Sequence, residues 1–217
     1  MGLKLVIANK AYSSWSMRPW ILMTAFGVAF EEIVVPLARE ETRDDILRYS
    51  PTGKVPALID GDTTIWDSLA ICEYVADSFP QHAVWPRDKR ARAVARSAAA
   101  EMHSSFQALR VQCPMNFRRV RKPVDFTPDT RADIARIEEI WAHARATFGA
   151  GGPFLFGAFS AADAMYAPVV NRLDVYDAPV AAQTRAYMRT MQETQAWKSW
   201  QAGANAEPWR IDKYENV

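Results

Sequence analysis

Apolar residues change their period near position 80 of this 217-residue chain. Before it, short apolar and β-branched runs alternate with helical stretches and turn signals. After it there is no convincing alternating strand pattern, and several long helical patterns take over. The reading is an α/β unit with element order βαβαββα, followed by an all-helical bundle. Leu3 to Ala8 reads as a buried strand, and the polar stretch Asn9 to Ser16 as a turn leading into a helix from Met17 to Phe26, stopped by Gly27. Glu32 to Pro36 reads as a second strand and Asp44 to Tyr49 as a short helix. Ala57 to Ile59 and Thr63 to Trp66 flank Asp60-Gly61-Asp62, a hairpin signal. Asp67 or Ser68 caps a helix that runs to about Ser78 and is closed by Phe79-Pro80.

In the second part, Asp88 caps a long Ala- and Arg-rich helix towards Val111, and further helices are expected over 130–148, 161–173 and 180–202. Ser160 and Asp163 have the spacing of a capping box, which makes Asp163 structural. The expected division is therefore 1–80 for the first domain, 81–87 for a linker and 88–217 for the helical domain.

Charge follows the same division. The whole chain carries 26 Lys+Arg and 25 Asp+Glu, a net +1 that argues against a nucleic-acid partner. Residues 1–80 hold seven basic and eleven acidic side chains, and the remainder nineteen and fourteen. No run of about 18 apolar residues is present, and Met1 to Ala8 lacks a secretory cleavage pattern, so no membrane partner and a cytoplasmic location are expected. Cys72 and Cys113 fit neither a disulfide framework nor a zinc pattern, and Cys72 reads as a small core residue. His82, His103 and His143 show no ligand spacing, so no metal site is expected and each reads as an ordinary helix or loop residue. The run Phe117 to Lys122 places four cations in six residues. It reads as a solvated loop, with an anionic co-substrate or a partner subunit as alternatives.

The segment Gly53-Lys54-Val55-Pro56-Ala57-Leu58 carries the first chemical signal. Proline suits the first residue of a strand, and an X-Pro bond is the realistic place for a cis peptide. A cis Val55-Pro56 turns the Val55 backbone outward, where its N–H and C=O can pair with an extended peptide-like ligand. Asp67-Ser68 then opens a helix, whose free N–H groups and positive dipole end favour a carboxylate. A small peptide carrying carboxylates fits both features.

With the turn Ser13-Ser14-Trp15-Ser16-Met17-Arg18 and the segment Phe159 to Asp163, these motifs resemble the cytosolic glutathione transferases, in the family's order and spacing and over nearly the whole chain. The resemblance implies a thioredoxin-like N-terminal domain that holds glutathione and an all-helical C-terminal domain that shapes the site for a small electrophile. It also implies a homodimer and no tightly bound cofactor, with glutathione as co-substrate. The Ser-Ser-x-Ser-x-Arg turn is most similar to the zeta class, whose pattern has Cys where this chain has Trp15. By that likeness the catalytic residue is Ser13, with Ser14 the theta-like alternative and Tyr12 a third. Lys54, Val55, Pro56, Asp67 and Ser68 fall on the glutathione-binding positions; Trp15, close to Ser13 in sequence, reads as a second-substrate pocket residue and Arg18 as a helix anchor. Reduction of a hydroperoxide, isomerisation of maleylacetoacetate-like diacids and a non-catalytic binding role are the other activities weighed.

A serine suits this chemistry. Glutathione attacks as a thiolate, and a thiol with a pKa near ~8.5 is only a few per cent ionised at pH 7. Lowering that pKa by about 2 units takes ~2.7 kcal/mol, which one charge-assisted hydrogen bond and a helix N-terminus can supply. The turn contains no cysteine, so disulfide exchange is not expected there.

Overall fold

A computed structural model describes residues 2–215. Its strands are β1 (Leu3–Ile7), β2 (Phe30–Val34), β3 (Ala57–Asp60) and β4 (Thr63–Trp66), in the order β2-β1-β3-β4. β1 pairs parallel to β2 and antiparallel to β3, and β3 pairs antiparallel to β4. The side-chain period of two splits β1 between the two faces of the sheet: Leu5 and Ile7 enter the main core, whereas Val6 joins Val35, Ile46 and Ala57 in a smaller one. That smaller core lies under α2 (Thr42–Leu47), which contributes Ile46.

The main core is shared by the two parts of the chain. α1 (Ser14–Ala25) is apolar on nearly every side, as a helix buried all round must be, and it packs against α3 (Ser68–Ser78), α7 (Ala161–Val175) and α9 (Gln195–Ala206). α7 is buried at all but one of its positions and also contacts α4 (Lys89–Ser104). Around these stand α5 (Gln107–Gln112), α6 (Pro128–Phe148), α8 (Ala182–Glu193) and the short α10 (Asp212–Glu215). A four-stranded mixed sheet flanked by helices, continued by a helical region, is a thioredoxin-like domain with a helical domain attached.

Two expected helices are each divided. The Ala- and Arg-rich pattern runs unbroken to Val111, but the backbone turns at Phe106, which adopts a left-handed conformation (φ 63°) and buries its ring. Arg110 donates to the Ser105 carbonyl at 2.9 Å and to the Met102 carbonyl, taking up acceptors that the break leaves free. The expected 180–202 helix is divided at Thr194, whose hydroxyl oxygen accepts the Trp197 N–H at 3.2 Å and so starts α9 as an N-cap. β2 begins two residues before its expected start. Asp88 and Thr127 cap α4 and α6 through their side chains.

The Ser160–Asp163 capping box forms at the start of α7. The Asp163 carboxylate is fully buried and accepts the Ser160 N–H and hydroxyl at 2.9 Å each, and the Leu155 N–H and Tyr187 hydroxyl at 3.0 Å each. Burial raises its pKa to about 6 against the pull of those donors.

Candidate functional site

The loop from Ala8 to Ser13 carries the chain from the end of β1 to the first turn of α1. Ser13 occupies the N-cap, but its hydroxyl does not cap the helix; it donates to Ser16 Oγ at 2.8 Å, and Ser16 Oγ also accepts the Ala8 N–H at 3.1 Å. Ser13 therefore lies at the positive end of α1 with a second hydroxyl behind it. It lines a cleft of about 890 Å³ whose other walls include Trp15, the α2 residues Thr42, Arg43 and Ile46, the segment Thr52 to Pro56, and Asp67 and Ser68. This volume is that of a small-molecule site.

Of the residues singled out by sequence, Ser13, Trp15, Lys54, Val55, Pro56, Asp67 and Ser68 meet in that one cleft. Ser14 is buried and is not part of its wall. Tyr12 is engaged elsewhere, donating its hydroxyl to Glu215 Oε1 at 2.5 Å. Every wall residue comes from the first 68 positions, so the helical region supplies no lining side chain here and Trp15, 38% exposed, forms the boundary towards it.

The Val55–Pro56 bond is cis, and the Val55 backbone makes no hydrogen bond among the described residues. Its N–H and C=O are thus available to a ligand backbone. Asp67 holds a positive φ of 77°, a conformation that costs a non-glycine residue ~1–3 kcal/mol. There its Oδ1 accepts the Leu69 and Ala70 N–H groups at 2.8 and 3.3 Å, and its Oδ2 meets His103 Nε2 at 3.2 Å. Burial, together with the cationic Arg18 and Arg110, holds the His103 pKa below its ordinary value despite Asp67. At neutral pH the contact is therefore a hydrogen bond from a neutral imidazole to the carboxylate.

Ser68 begins α3 and is buried, its oxygen accepting Arg18 Nη1 at 3.3 Å. Arg18 is fully buried beneath the site, with its guanidinium 4.2 Å from the Trp15 ring centroid and its pKa lowered to about 9, first by burial and then by Arg110 and Arg172. It remains charged at neutral pH and anchors α1 to α3. Cys72 lies in the core, where burial pushes its thiol up to about 12, far from reactive.

Two contributors carried no sequence signal. Arg43 on α2 lines the cleft, and like the Lys54 ammonium its guanidinium makes no hydrogen bond or ion pair among the described residues. Gly53 (φ 64°) makes room for it, since a Cβ there would stand 2.9 Å from Arg43 Nη1. His103, read from sequence as ordinary, reaches Asp67 only because α4 packs beside α3. The basic run 117–122 has its own employment away from the cleft. Arg118 donates to the carbonyls of Ala204 at 2.9 Å, Trp209 at 2.7 Å and Glu207, the Arg119 guanidinium covers the Tyr176 ring, and Arg121 pairs with Asp177. No group of His, Cys, Asp and Glu suited to a metal occurs among the described residues, and no helix there is long and apolar enough to cross a membrane.

Residues 12–78 match the N-terminal domain of glutathione S-transferases and residues 125–217 the C-terminal domain of the same family. A zeta-class glutathione S-transferase of Euphorbia esula is 35% identical over 115 residues, 52% of this chain and 51% of its own. A probable maleylacetoacetate isomerase of Caenorhabditis elegans is 33% identical over 106 residues, 49% of this chain and 48% of its own. The chain spans about half the length of these curated relatives. A glutathione transferase homologue from Burkholderia, crystallised with bound glutathione, shares the fold with a TM-score of 0.70 at 22% identity, covering 95% of this chain and all of the other. With both halves of one family's pattern matched in order on a thioredoxin-like domain and its helical extension, the chain belongs to the glutathione S-transferase family.

Proposed function

We propose that the protein is a glutathione transferase in which the Ser13 hydroxyl donates a hydrogen bond to the glutathione sulfur and stabilises the thiolate for attack on a small electrophile. The observation that carries this is the convergence, in one cleft, of a serine at a helix N-terminus, a Val55 backbone and two cations, Lys54 and Arg43, that have no partner among the described residues. The Val55 N–H and C=O pair with the cysteinyl backbone of the tripeptide. The Ser68 hydroxyl and N–H, at the positive end of α3, receive the γ-glutamyl carboxylate, and Asp67, whose Oδ1 already accepts the Leu69 and Ala70 N–H groups, receives the amino group. Lys54 and Arg43 hold the glycyl carboxylate. Residues 1–80 act as the glutathione-binding domain and residues 88–217 as the helical domain, in a cytoplasmic homodimer.

Purified protein with glutathione and an activated haloarene or isothiocyanate should turn over faster than a Ser13→Ala variant. Equal rates overturn the assignment. A second reading, glutathione-dependent cis-trans isomerisation of a maleylacetoacetate-like diacid, is favoured by the likeness to the probable maleylacetoacetate isomerase. There the thiolate adds, the C–C bond rotates and the thiolate leaves, so glutathione is not consumed. Unchanged absorbance of maleylacetone with enzyme and glutathione refutes it. Stabilisation by glutathione with no turnover of any electrophile marks a binding protein instead.

A further inference from the structure

The loop that delivers Ser13 to the cleft is held from behind by the far end of the chain. Its inner amides are satisfied locally: Ala8 by Ser16 Oγ, and Tyr12 and Ser13 by the Asn9 carbonyl at 3.1 and 2.8 Å. The Lys10 and Ala11 N–H groups instead reach one carboxylate, that of Glu207, at 2.6 and 3.2 Å, across 197 and 196 positions of sequence. Glu207 follows the last residue of α9 and is itself fixed, its N–H donating to the Gly203 carbonyl at 3.2 Å and its carbonyl accepting Arg118 Nη2. Arg118 binds the carbonyls on either side of it, at Ala204 and Trp209, so three donors of one guanidinium lock the tail around this carboxylate.

We infer that Glu207 is a positioning residue for the reaction: its carboxylate, carried on a stretch of backbone that Arg118 clamps, sets the Lys10–Ala11 backbone and through it the place of the Ser13 hydroxyl. The inference rests on the proposed role of Ser13. It also gives the basic run a part in the chemistry without placing it in the cleft. A bidentate carboxylate holding two successive amides fixes both the height and the tilt of the loop. Ser13 follows two residues later, at the point where a displacement of about 1 Å costs up to a hundredfold in rate. The glutathione-binding groups at Val55, Asp67 and Ser68 stand on other elements and do not depend on this contact.

The test uses the full chain with Glu207→Ala, the milder Glu207→Gln, which keeps a single carbonyl acceptor, and Arg121→Ala from the same basic run as comparison. Four quantities are read: amide hydrogen exchange over residues 10–14, the glutathione dissociation constant, the pKa of the bound thiol from its thiolate absorbance, and kcat with KM. Glu207→Ala is expected to speed loop exchange and leave the dissociation constant within about twofold. It should also raise the thiol pKa and lower kcat at neutral pH by about tenfold, with recovery at alkaline pH. Glu207→Gln should fall between, and Arg121→Ala should match the wild type. A lowered Tm with unchanged thiol pKa and kcat overturns the inference, leaving Glu207 a structural anchor. Unchanged loop exchange overturns the contact itself. If the wild type shows no lowered thiol pKa while Glu207→Ala still frees the loop, the serine assignment has failed, and Glu207 then has no part in the reaction.

Discussion

Replacing Ser13 and Ser16 separately by alanine should divide catalysis from stability. In the free protein Ser13 donates to Ser16 Oγ, and Ser16 Oγ accepts from Ala8 N–H as well. Rotating the two hydroxyl protons reverses the pair, so that Ser16 donates to Ser13 and Ser13 to the sulfur, with no heavy atom displaced. The serine–serine bond survives the reversal, and the thiolate gains a charge-assisted bond of ~1.5–3 kcal/mol at little cost elsewhere. At 1.36 kcal/mol per unit this lowers the thiol pKa by about 1–2 units. Ser13→Ala should therefore raise the bound thiol pKa by that amount and slow turnover near pH 6.5 about 10- to 100-fold, with the difference vanishing once the pH exceeds both pKa values.

Ser16→Ala removes only the polarising neighbour, a share of roughly 10–30% of the bond, and should slow turnover about twofold. It leaves the Ala8 N–H without its acceptor, however, which costs ~1–3 kcal/mol of stability. Ser14→Ala, outside the cleft wall, should change turnover less than threefold. The assay is thiolate absorbance against pH on the glutathione complex, with denaturant unfolding in parallel. An unchanged thiol pKa in Ser13→Ala, or a larger shift in Ser14→Ala, refutes the reasoning.

Lys54→Ala and Arg43→Ala should each raise the KM for glutathione about two- to fivefold with kcat unchanged, the range of an exposed ion pair; unaltered KM in the double variant removes the glycyl-carboxylate assignment. His103 has a folded pKa below its ordinary value, so its neutral form is favoured in the fold. Its contribution to stability is intact above about pH 6.5 and is lost as pH falls through the folded pKa. His103→Gln should abolish that part of the acid loss in a Tm–pH series, and an identical series in the variant contradicts it. Asp163→Ala strands four buried donors and should cost about 3 kcal/mol or more in chemical denaturation. Because the Asp163 pKa is raised to about 6, its ionisation opposes folding as pH climbs from about 4 to 6. The advantage of the wild type over Asp163→Asn should narrow across that window, and a widening gap would show the carboxylate to be favoured in the fold.

Much of the fold was legible because its signals are local. The Asp60-Gly61-Asp62 turn, the caps at Asp88 and Asp67 and the Ser160–Asp163 box each act within four residues, and the structure forms all of them. The helix breaks at Phe106 and Thr194 were hidden because local propensity continues across them; tertiary packing turns the chain at Phe106, and a threonine inside a helical pattern is as often a residue as a cap. In the site, Ser13, Val55 and Ser68 were visible through turn, proline and helix-start chemistry. Arg43, His103 and Glu207 were not, because each reaches the site through a contact set by the packing of distant elements, and a lone cation, imidazole or carboxylate on a helix end has no spacing to betray it.

The shared core also has a consequence for synthesis. α1 buries its back against α7 and α9, so the sheet and its first helix cannot complete their packing when residue 80 leaves the ribosome. They must wait until Ala206 has emerged, on the order of 10 s later at ~5–20 residues per second. Until α7 and then α9 have emerged, the side of α1 that packs against them stays uncovered. The half that carries the cleft is therefore finished last, when the tail closes on it.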